Sequence, residues 1–215
     1  MQRQKVYIYG KHAIEEAQAH MPHVLKKVMT GVNGEGHGGY VAVIDPDKLV
    51  VPYETFVTTL SPEADTALLI LDGLTDPHNV GAIIRSAAAF NVAGVLLPRE
   101  KQAPITGTVA KTSAGMIFRV PIVIIDSVED ALLDLRKRGF KTYGLAADGS
   151  AVLTHERFTQ PTAFVVGNEG SGLSANTAAA CDALLSIPMH PRTESLNAAQ
   201  AATVVLYEWH TQHGK

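Results

Sequence analysis

The chain has 215 residues, of which 46% are hydrophobic and 18% charged, and a formal net charge of −3. This length and composition are typical of a globular protein with one or two domains and not of a disordered chain. The single cysteine, Cys181, excludes an intrachain disulfide framework and a cysteine-rich zinc site. The acidic balance argues against a general nucleic-acid binder, although nine Lys and Arg against five Asp and Glu in residues 85–141 leave a local basic face open.

The sequence gives no sign of a membrane segment. No apolar run approaches the ~18 residues that a membrane span requires. The first ten residues, MQRQKVYIYG, contain no signal-peptide core. We therefore expect a cytoplasmic protein that makes no contact with a membrane.

Residues 1–57 are predicted to form a small α+β segment, and residues 58–215 a larger domain. A helix is expected from about residue 11 to His20, where Met21-Pro22 ends it. The segment contains a flexible glycine-rich loop at residues 31–39 and closes on a polar linker at residues 58–65. Strands are predicted at three apolar runs: Val6–Tyr9, Val24–Thr30 and Tyr40–Ile44.

The larger domain alternates apolar strands with helices, which indicates an α/β fold with a mostly parallel sheet covered by helices on both faces. The predicted strands are Ala67–Leu71, Gly94–Leu97, Pro121–Ile125, Lys141–Ala147, Ala163–Val166 and Leu184–Ile187. The predicted helices are Asn79–Phe90, Gly107–Ala114, one from Ser127 to Gly139, and Ser195–Tyr207. Ser127 and Asp130 form a capping-box-like pattern, and Ser195 is a suitable N-cap for the last helix.

Three blocks of sequence carry residues suited to chemistry. In the first, LDGLTDPHNVGAIIRSAAAF (71–90), Asn79 is a suitable N-cap, and Arg85 follows on an otherwise apolar helix. An unpaired charge on a buried helix face is costly, so Arg85 is expected either to have a function or to form a structural ion pair, for example with Glu169.

The second block is FVVGNEGSGLS (164–174), and the third is IPMHPRTESLNAAQAATVVLYE (187–208). Three glycines within residues 167–172 allow the backbone to approach a ligand closely, although a tight strand–helix connection would also use them. Their spacing is neither the GxGxxG of a dinucleotide site nor that of a Walker loop. In the third block a helix N-terminus presents free N–H groups to a ligand.

In this order the three blocks resemble the motifs of the SpoU (TrmH-like) family of RNA ribose 2′-O-methyltransferases, in the SPOUT superfamily. The resemblance covers roughly residues 67–210. It implies a C-terminal deep trefoil knot with loops around residues 167–173 and 188–197. It also implies an RNA substrate, either tRNA or rRNA, and a homodimer built on residues 197–209 and part of 79–90, with Ala198, Ala201 and Ala202 as a close-packing face.

The same resemblance implies S-adenosylmethionine as the methyl donor and no metal, since the leaving group is neutral. The positions that match cofactor contacts are Gly167, Ile187, Met189 and Leu196. The positions that match the family's active site are Asn79, Arg85, Glu169, Ser195 and Asn197. A guanidinium is effectively always protonated. We therefore favour Arg85 as the group that binds an RNA phosphate and stabilises the developing oxyanion, while a role as general base stays open.

Several alternatives stay open at this point. The N-terminal pieces YGKHAIEEA and HGGYVAVI resemble the two ends of a ribosomal-protein-like RNA-binding domain whose middle is missing, so this segment either presents RNA or only packs as an appendage. His190-Pro191 and Asn197-Ala198-Ala199 depart from the common family pattern at the pocket edge. The main alternative function is a non-catalytic RNA-binding or assembly factor on the same fold. The absent GxGxxG argues against a nucleotide-cofactor oxidoreductase.

Overall fold

A computed structural model of the protein describes residues 5–32 and 38–213. Most of the predicted glycine-rich loop, residues 33–37, lies outside the described residues. Within the described ranges the chain forms a three-stranded and an eight-stranded sheet.

The small sheet is antiparallel and lies in the N-terminal segment. Its strands are β1 (Val6–Tyr9), β2 (Leu25–Thr30) and β3 (Tyr40–Ile44), in the spatial order β1-β3-β2. Helix α1 (Lys11–His20) contacts all three strands and buries Ala13, Ile14 and Ala17. These elements lie where the sequence predicts them, to within a residue.

The large sheet is parallel at every strand pair, in the spatial order β4-β7-β6-β5-β10-β8-β11-β9. This arrangement confirms the predicted α/β class. Its strands are β4 (Val50–Pro52), β5 (Ala67–Asp72), β6 (Gly94–Pro98), β7 (Ile122–Ile125), β8 (Lys141–Leu145), β9 (Ala151–Val152), β10 (Thr162–Gly167) and β11 (Ala183–Ser186).

Helices cover both faces of the large sheet. They are α2 (Tyr53–Thr59), α3 (Pro77–Ala89), α4 (Gly107–Thr112), α5 (Val128–Lys137), α6 (Ala175–Ala180) and α7 (Ala198–His213). Along β5, Leu69 and Leu71 pack in the core on the side of α3 and α7, whereas Leu68 and Ile70 pack on the side of α2 and α5. Both faces of each central strand are therefore apolar, which is why these strands read as continuous hydrophobic runs.

Four short elements were not predicted from the sequence: β4, α2, β9 and α6. Strands of two or three residues are too short to produce a periodic pattern. Strand β4 pairs with β7, so residues 50–52 extend the large sheet although they precede residue 58. The division of the chain at residues 57 and 58 stays a prediction.

Among the described residues, no helix has the length and apolar character that crossing a bilayer requires. The trefoil knot that the family resemblance implies stays a prediction.

Candidate active site

The candidate site lies at the carboxyl ends of the central strands. Strands β5 and β10 are neighbours, with Leu71 opposite Val166 and Asp72 opposite Gly167. The loops that leave these strands, residues 73–76 and 168–174, therefore start side by side. This edge of an open parallel sheet is where ligands commonly bind.

The loop after β10 is held by close backbone contacts. A Cβ atom on Gly167 would lie 2.4 Å from the carbonyl carbon of Gly172 and 2.4 Å from the amide nitrogen of Leu173, so that only glycine fits. The amide of Asn168 donates to the carbonyl of Gly73 at 2.8 Å, and its Oδ1 accepts from the backbone N–H of Gly170 at 2.9 Å. Sequence reasoning did not single out Asn168, although Asn is a common turn-former.

Glu169 joins this loop to the start of α3. Its Oε1 accepts from Asn79 Nδ2 at 3.1 Å and from the backbone N–H of Asp76 at 3.2 Å, and its Oε2 accepts from the N–H of Thr75 at 3.3 Å. Partial burial acts to raise the pKa of Glu169. The hydrogen bonds from its own backbone N–H, Asn79, Asp76 and Thr75 outweigh this effect and lower the pKa below its ordinary value. Glu169 is therefore a carboxylate near neutral pH.

The third block joins the same network through Asn197. Its Nδ2 donates to Asn79 Oδ1 at 3.0 Å, while its Oδ1 accepts from the backbone N–H of Ala199 at 2.9 Å and of Gln200 at 3.4 Å. Asn197 thus caps α7, which begins at Ala198. The prediction that Ser195 caps this helix is wrong, because the helix begins too late for the Ser195 hydroxyl to serve as its cap.

The predicted capping role of Asn79 is also wrong. Helix α3 begins at Pro77, and Asp76 caps it by accepting from the N–H of His78 at 2.8 Å. Because Asn79 lies inside the first turn, its amide is available for Glu169 on one side and Asn197 on the other. By contrast, the Ser127 cap is confirmed, since its hydroxyl accepts from the N–H of Asp130.

A hollow of about 450 Å³ adjoins this network. Its wall contains all four positions that match cofactor contacts, Gly167, Ile187, Met189 and Leu196, together with Glu169 and Ser195. Residues 145–148, at the end of β8 and in the loop after it, also line the hollow and were not predicted. The position of β8 beside β10 could have identified them only once the strand order was known.

Arg85 lies apart from this hollow. It is exposed on α3 and, within residues 5–32 and 38–213, its side chain makes no hydrogen bond or ion pair. The alternative that Arg85 forms a structural ion pair with Glu169 is therefore wrong, since Glu169 is bound by Asn79, Asn168 and two backbone amides. The predicted burial cost does not arise either, because Arg85 faces solvent.

The described residues contain no group of three or more His, Cys, Asp and Glu side chains that could hold a metal ion. The expectation that the reaction needs no metal stays a prediction.

Comparison with known proteins identifies similar sequences and folds. A model of the SpoU rRNA methylase family matches residues 66–207. An uncharacterised tRNA/rRNA methyltransferase of Synechocystis is 43% identical over 178 residues, which is 83% of this chain and 46% of that protein. The 23S rRNA (guanosine-2′-O-)-methyltransferase RlmB of Xanthomonas campestris is 39% identical over 85% of this chain and 74% of its own. The chain thus spans about half the length of the first relative and three quarters of the second.

A solved structure of the same family is also similar to this chain. The SpoU methyltransferase AviRb of Streptomyces viridochromogenes, in complex with the cofactor AdoMet, has a TM-score of 0.81 and 28% sequence identity. The match covers 97% of this chain and 90% of AviRb. The similarity therefore includes the N-terminal segment as well as the large sheet.

Proposed function

The chain belongs to the SpoU rRNA methylase family, and on that premise we propose that it transfers a methyl group from S-adenosylmethionine to a ribose 2′-hydroxyl of structured RNA. The observation that carries this proposal is the hydrogen-bonded series Glu169–Asn79–Asn197. It joins one residue from each of the three sequence blocks beside a ligand-sized hollow. Polar groups fixed in this way beside the hollow favour an enzyme over a non-catalytic RNA-binding factor.

The hollow suits the proposed cofactor. Its volume of about 450 Å³ lies within the range of ~300–1,000 Å³ usual for ligand sites. Apolar side chains of Ile187, Met189 and Leu196 form part of the wall, and the compact backbone at Gly167 and Gly172 forms another. When bound, S-adenosylmethionine supplies an electrophilic methyl group on a sulfonium centre. The similar AviRb structure contains this cofactor.

Glu169 and the two asparagines are proposed to hold the ribose end of the site in place. The Glu169 carboxylate fixes the orientation of the Asn79 amide, and the Asn79 carbonyl oxygen in turn fixes Asn197. Preorganised donors and acceptors cost no reorganisation at the moment of reaction. Ser195 lines the hollow and is exposed, so its hydroxyl is free to contact the incoming RNA.

Arg85 is proposed to bind an RNA phosphate and to stabilise the oxyanion that develops at the 2′-oxygen. A planar guanidinium offers two parallel hydrogen bonds to a phosphate and remains charged at all relevant pH values. Arg85 follows Asn79 by six residues on α3, which places it ~9 Å along the helix and ~120° around it. One chain therefore does not bring Arg85 into the cofactor hollow.

A homodimer explains how Arg85 can act at a cofactor hollow from which it lies apart within one chain. We propose that two copies associate through α3 and α7, so that Arg85 of one copy serves the hollow of the other. Of the predicted small-residue face, Ala202 is buried in the core of its own chain and is not available for this contact, whereas Ala198 and Ala201 are partly exposed. The exposed large apolar residues of α7 are Val204 and Tyr207. The ring of Phe90 packs beside that of Tyr207, with 6.1 Å between the two ring centroids.

The substrate is proposed to be rRNA or tRNA in the cytoplasm, with 23S rRNA as the first candidate because the Xanthomonas relative is named for it. The test incubates the protein with S-adenosylmethionine and unmodified transcripts of 23S rRNA and tRNA. Mass spectrometry of the digested RNA should find a 2′-O-methylated nucleotide in one of them. Methylation of a base, or no methylation of either RNA, would contradict the proposal.

A further inference from the structure

A second hollow, of about 470 Å³, lies around Arg85. One wall is the C-terminal half of α3 with Asn91, and another is the turn of residues 114–120 that follows α4. The remaining wall is α1 of the N-terminal segment, which contributes His12. The hollow is therefore shared between the N-terminal segment and the large domain.

Helix α1 is held firmly against this wall. Glu16 accepts two hydrogen bonds from Arg119, from Nε at 2.6 Å and from Nη2 at 2.8 Å. Gly115 has a φ of 80°, and a Cβ atom there would lie 2.8 Å from Glu16 Cβ and 3.1 Å from Ala13 Cα. Such close contact requires glycine, so α1 has a fixed position on the large domain.

The ion pair also decides the charge of the hollow. The side-chain hydrogen bond from Arg119 is the main cause of a lowered pKa at Glu16, so this carboxyl stays ionised and bound to Arg119. No Asp or Glu lines the hollow among the described residues. Its wall carries the guanidinium groups of Arg85 and Arg119 and the imidazole of His12. His12 lies one helical turn before Glu16, so both residues occupy the same face of α1.

We propose that this hollow binds a phosphate of the RNA backbone, with Arg85 as the cationic contact and His12 as a second hydrogen-bond donor from α1. The inference deepens the proposed function and rests on it. Glu16 already pairs with Arg119, so Arg85 is the cationic group of the hollow without a carboxylate partner among the described residues. A guanidinium of this kind suits an RNA phosphate, whose negative charge dominates binding to proteins. The N-terminal segment is then part of the substrate site and not only a packing appendage.

The first test replaces His12. RNA affinity is measured by fluorescence anisotropy with a 23S rRNA transcript, and cofactor affinity by calorimetry with S-adenosylhomocysteine. His12→Ala should weaken RNA binding about tenfold or more, the scale for one hydrogen bond to a charged group. His12→Gln, which keeps a donor, should recover part of this loss. His23→Ala serves as the matched control, because His23 is exposed in the same segment and does not line the hollow.

The second test adds a negative charge with little change of shape. Asn91 is exposed with a φ of 55°, a conformation that Asp also tolerates, so Asn91→Asp should fold normally. We expect it to weaken RNA binding at least fivefold while cofactor affinity and the melting temperature stay unchanged. Parent-like RNA binding by both His12→Ala and Asn91→Asp would overturn the inference.

Two other outcomes would separate the phosphate site from the dimer contact and from the proposed function. Weaker self-association of either variant in sedimentation, with RNA binding per dimer unchanged, would assign the hollow to the contact between copies and overturn the inference. The binding assays require no turnover. The parent protein could therefore bind the transcript through His12 and never methylate it. This result would contradict the proposed function but support the phosphate site.

Discussion

Asn79 donates a hydrogen bond from Nδ2 to Glu169 Oε1 at 3.1 Å, across a separation of 90 residues in sequence. The same Asn79 side chain accepts from Asn197 through its Oδ1 at 3.0 Å. An amide that both donates and accepts can have only one orientation here. The three sequence blocks are therefore coupled, and a substitution in any one of them should alter the side-chain orientations in the others.

The first prediction concerns Glu169. Glu169→Gln keeps the shape of the side chain but leaves one acceptor oxygen for four N–H donors, which come from Thr75, Asp76, Asn79 and Asn168. We expect the single-turnover rate of RNA methylation to fall at least tenfold because Asn79 loses its fixed orientation. A variant that methylates at the parent rate would exclude this positioning role.

The same carboxylate predicts a pH dependence of stability. The pKa of Glu169 is lowered in the folded protein, so its ionised form contributes stability above the unfolded-state pKa. This contribution is lost as the pH falls through the folded-state pKa. Melting temperatures measured from pH 7 downward should therefore converge for the parent and Glu169→Gln in acid. A difference that widens in acid would contradict the sign of the shift.

The second prediction separates the two contacts of Asn197. Asn197→Asp keeps an oxygen that can cap α7 but loses the amide that donates to Asn79. Asn197→Ala loses both and should lower the free energy of unfolding by ~1 kcal/mol, the usual cost of a lost N-cap. Chemical denaturation should show parent-like stability only for Asn197→Asp, while both variants methylate RNA slowly. Equal destabilisation of the two would argue against the cap.

Much of the fold was predictable because its strands are long and apolar on both faces. Ala67–Asp72 and Thr162–Gly167 are fully or almost fully buried, and such runs between helices indicate a parallel sheet without further information. The spatial strand order was not predictable, because it depends on contacts between distant segments. For the same reason the sequence could not place residues 145–148 beside Gly167.

The candidate site was predictable as a set of residues but not as a geometry. The blocks supplied Asn79, Glu169 and Asn197, whereas their hydrogen bonds depend on where each helix begins. Helix α3 begins two residues before Asn79, and α7 begins three residues after Ser195. Several polar residues in a row are each competent caps, so local propensity alone did not choose between them.

The third prediction tests the glycine loop. Gly167→Ala forces a Cβ atom against the backbone of Gly172 and Leu173, which no side-chain movement can relieve. We expect affinity for S-adenosylmethionine to fall at least tenfold as the loop is displaced. Gly170→Ala is the matched control, since its Cβ would meet only Asn168 Oδ1, at 3.6 Å. Calorimetry that finds equal affinities for the two variants would refute the close-packing argument.

The fourth prediction concerns the dimer. Tyr207 is 59% exposed and Val204 39% exposed on α7, and a second copy would bury both. Tyr207→Arg should shift the sedimentation coefficient from that of a dimer to that of a monomer at micromolar concentration. Leu133→Arg is the control, because Leu133 is 50% exposed on α5, on the other side of the sheet. A parent protein that is monomeric and active at that concentration would rule out the dimer.

A mixing experiment tests whether Arg85 acts on the other copy. Arg85→Ala and Glu169→Gln chains are unfolded together, refolded and compared with each variant alone. If Arg85 completes the partner's site, mixed dimers contain one site with both native residues, and activity should rise above that of either variant. An unchanged low activity in confirmed mixed dimers would place Arg85 and Glu169 in the same subunit's site.

The last prediction distinguishes a structural from a chemical role of Arg85. Its side chain is exposed and forms no ion pair within the described residues, so Arg85→Ala should leave the melting temperature and cofactor affinity unchanged. Turnover should fall by ~10²-fold or more, the scale for losing one preorganised electrostatic donor. Arg85→Lys keeps the charge but loses the planar fork that suits a phosphate, so it should bind S-adenosylmethionine normally and methylate RNA poorly. If Arg85→Ala methylates RNA at close to the parent rate in single-turnover assays, Arg85 does not stabilise the transition state.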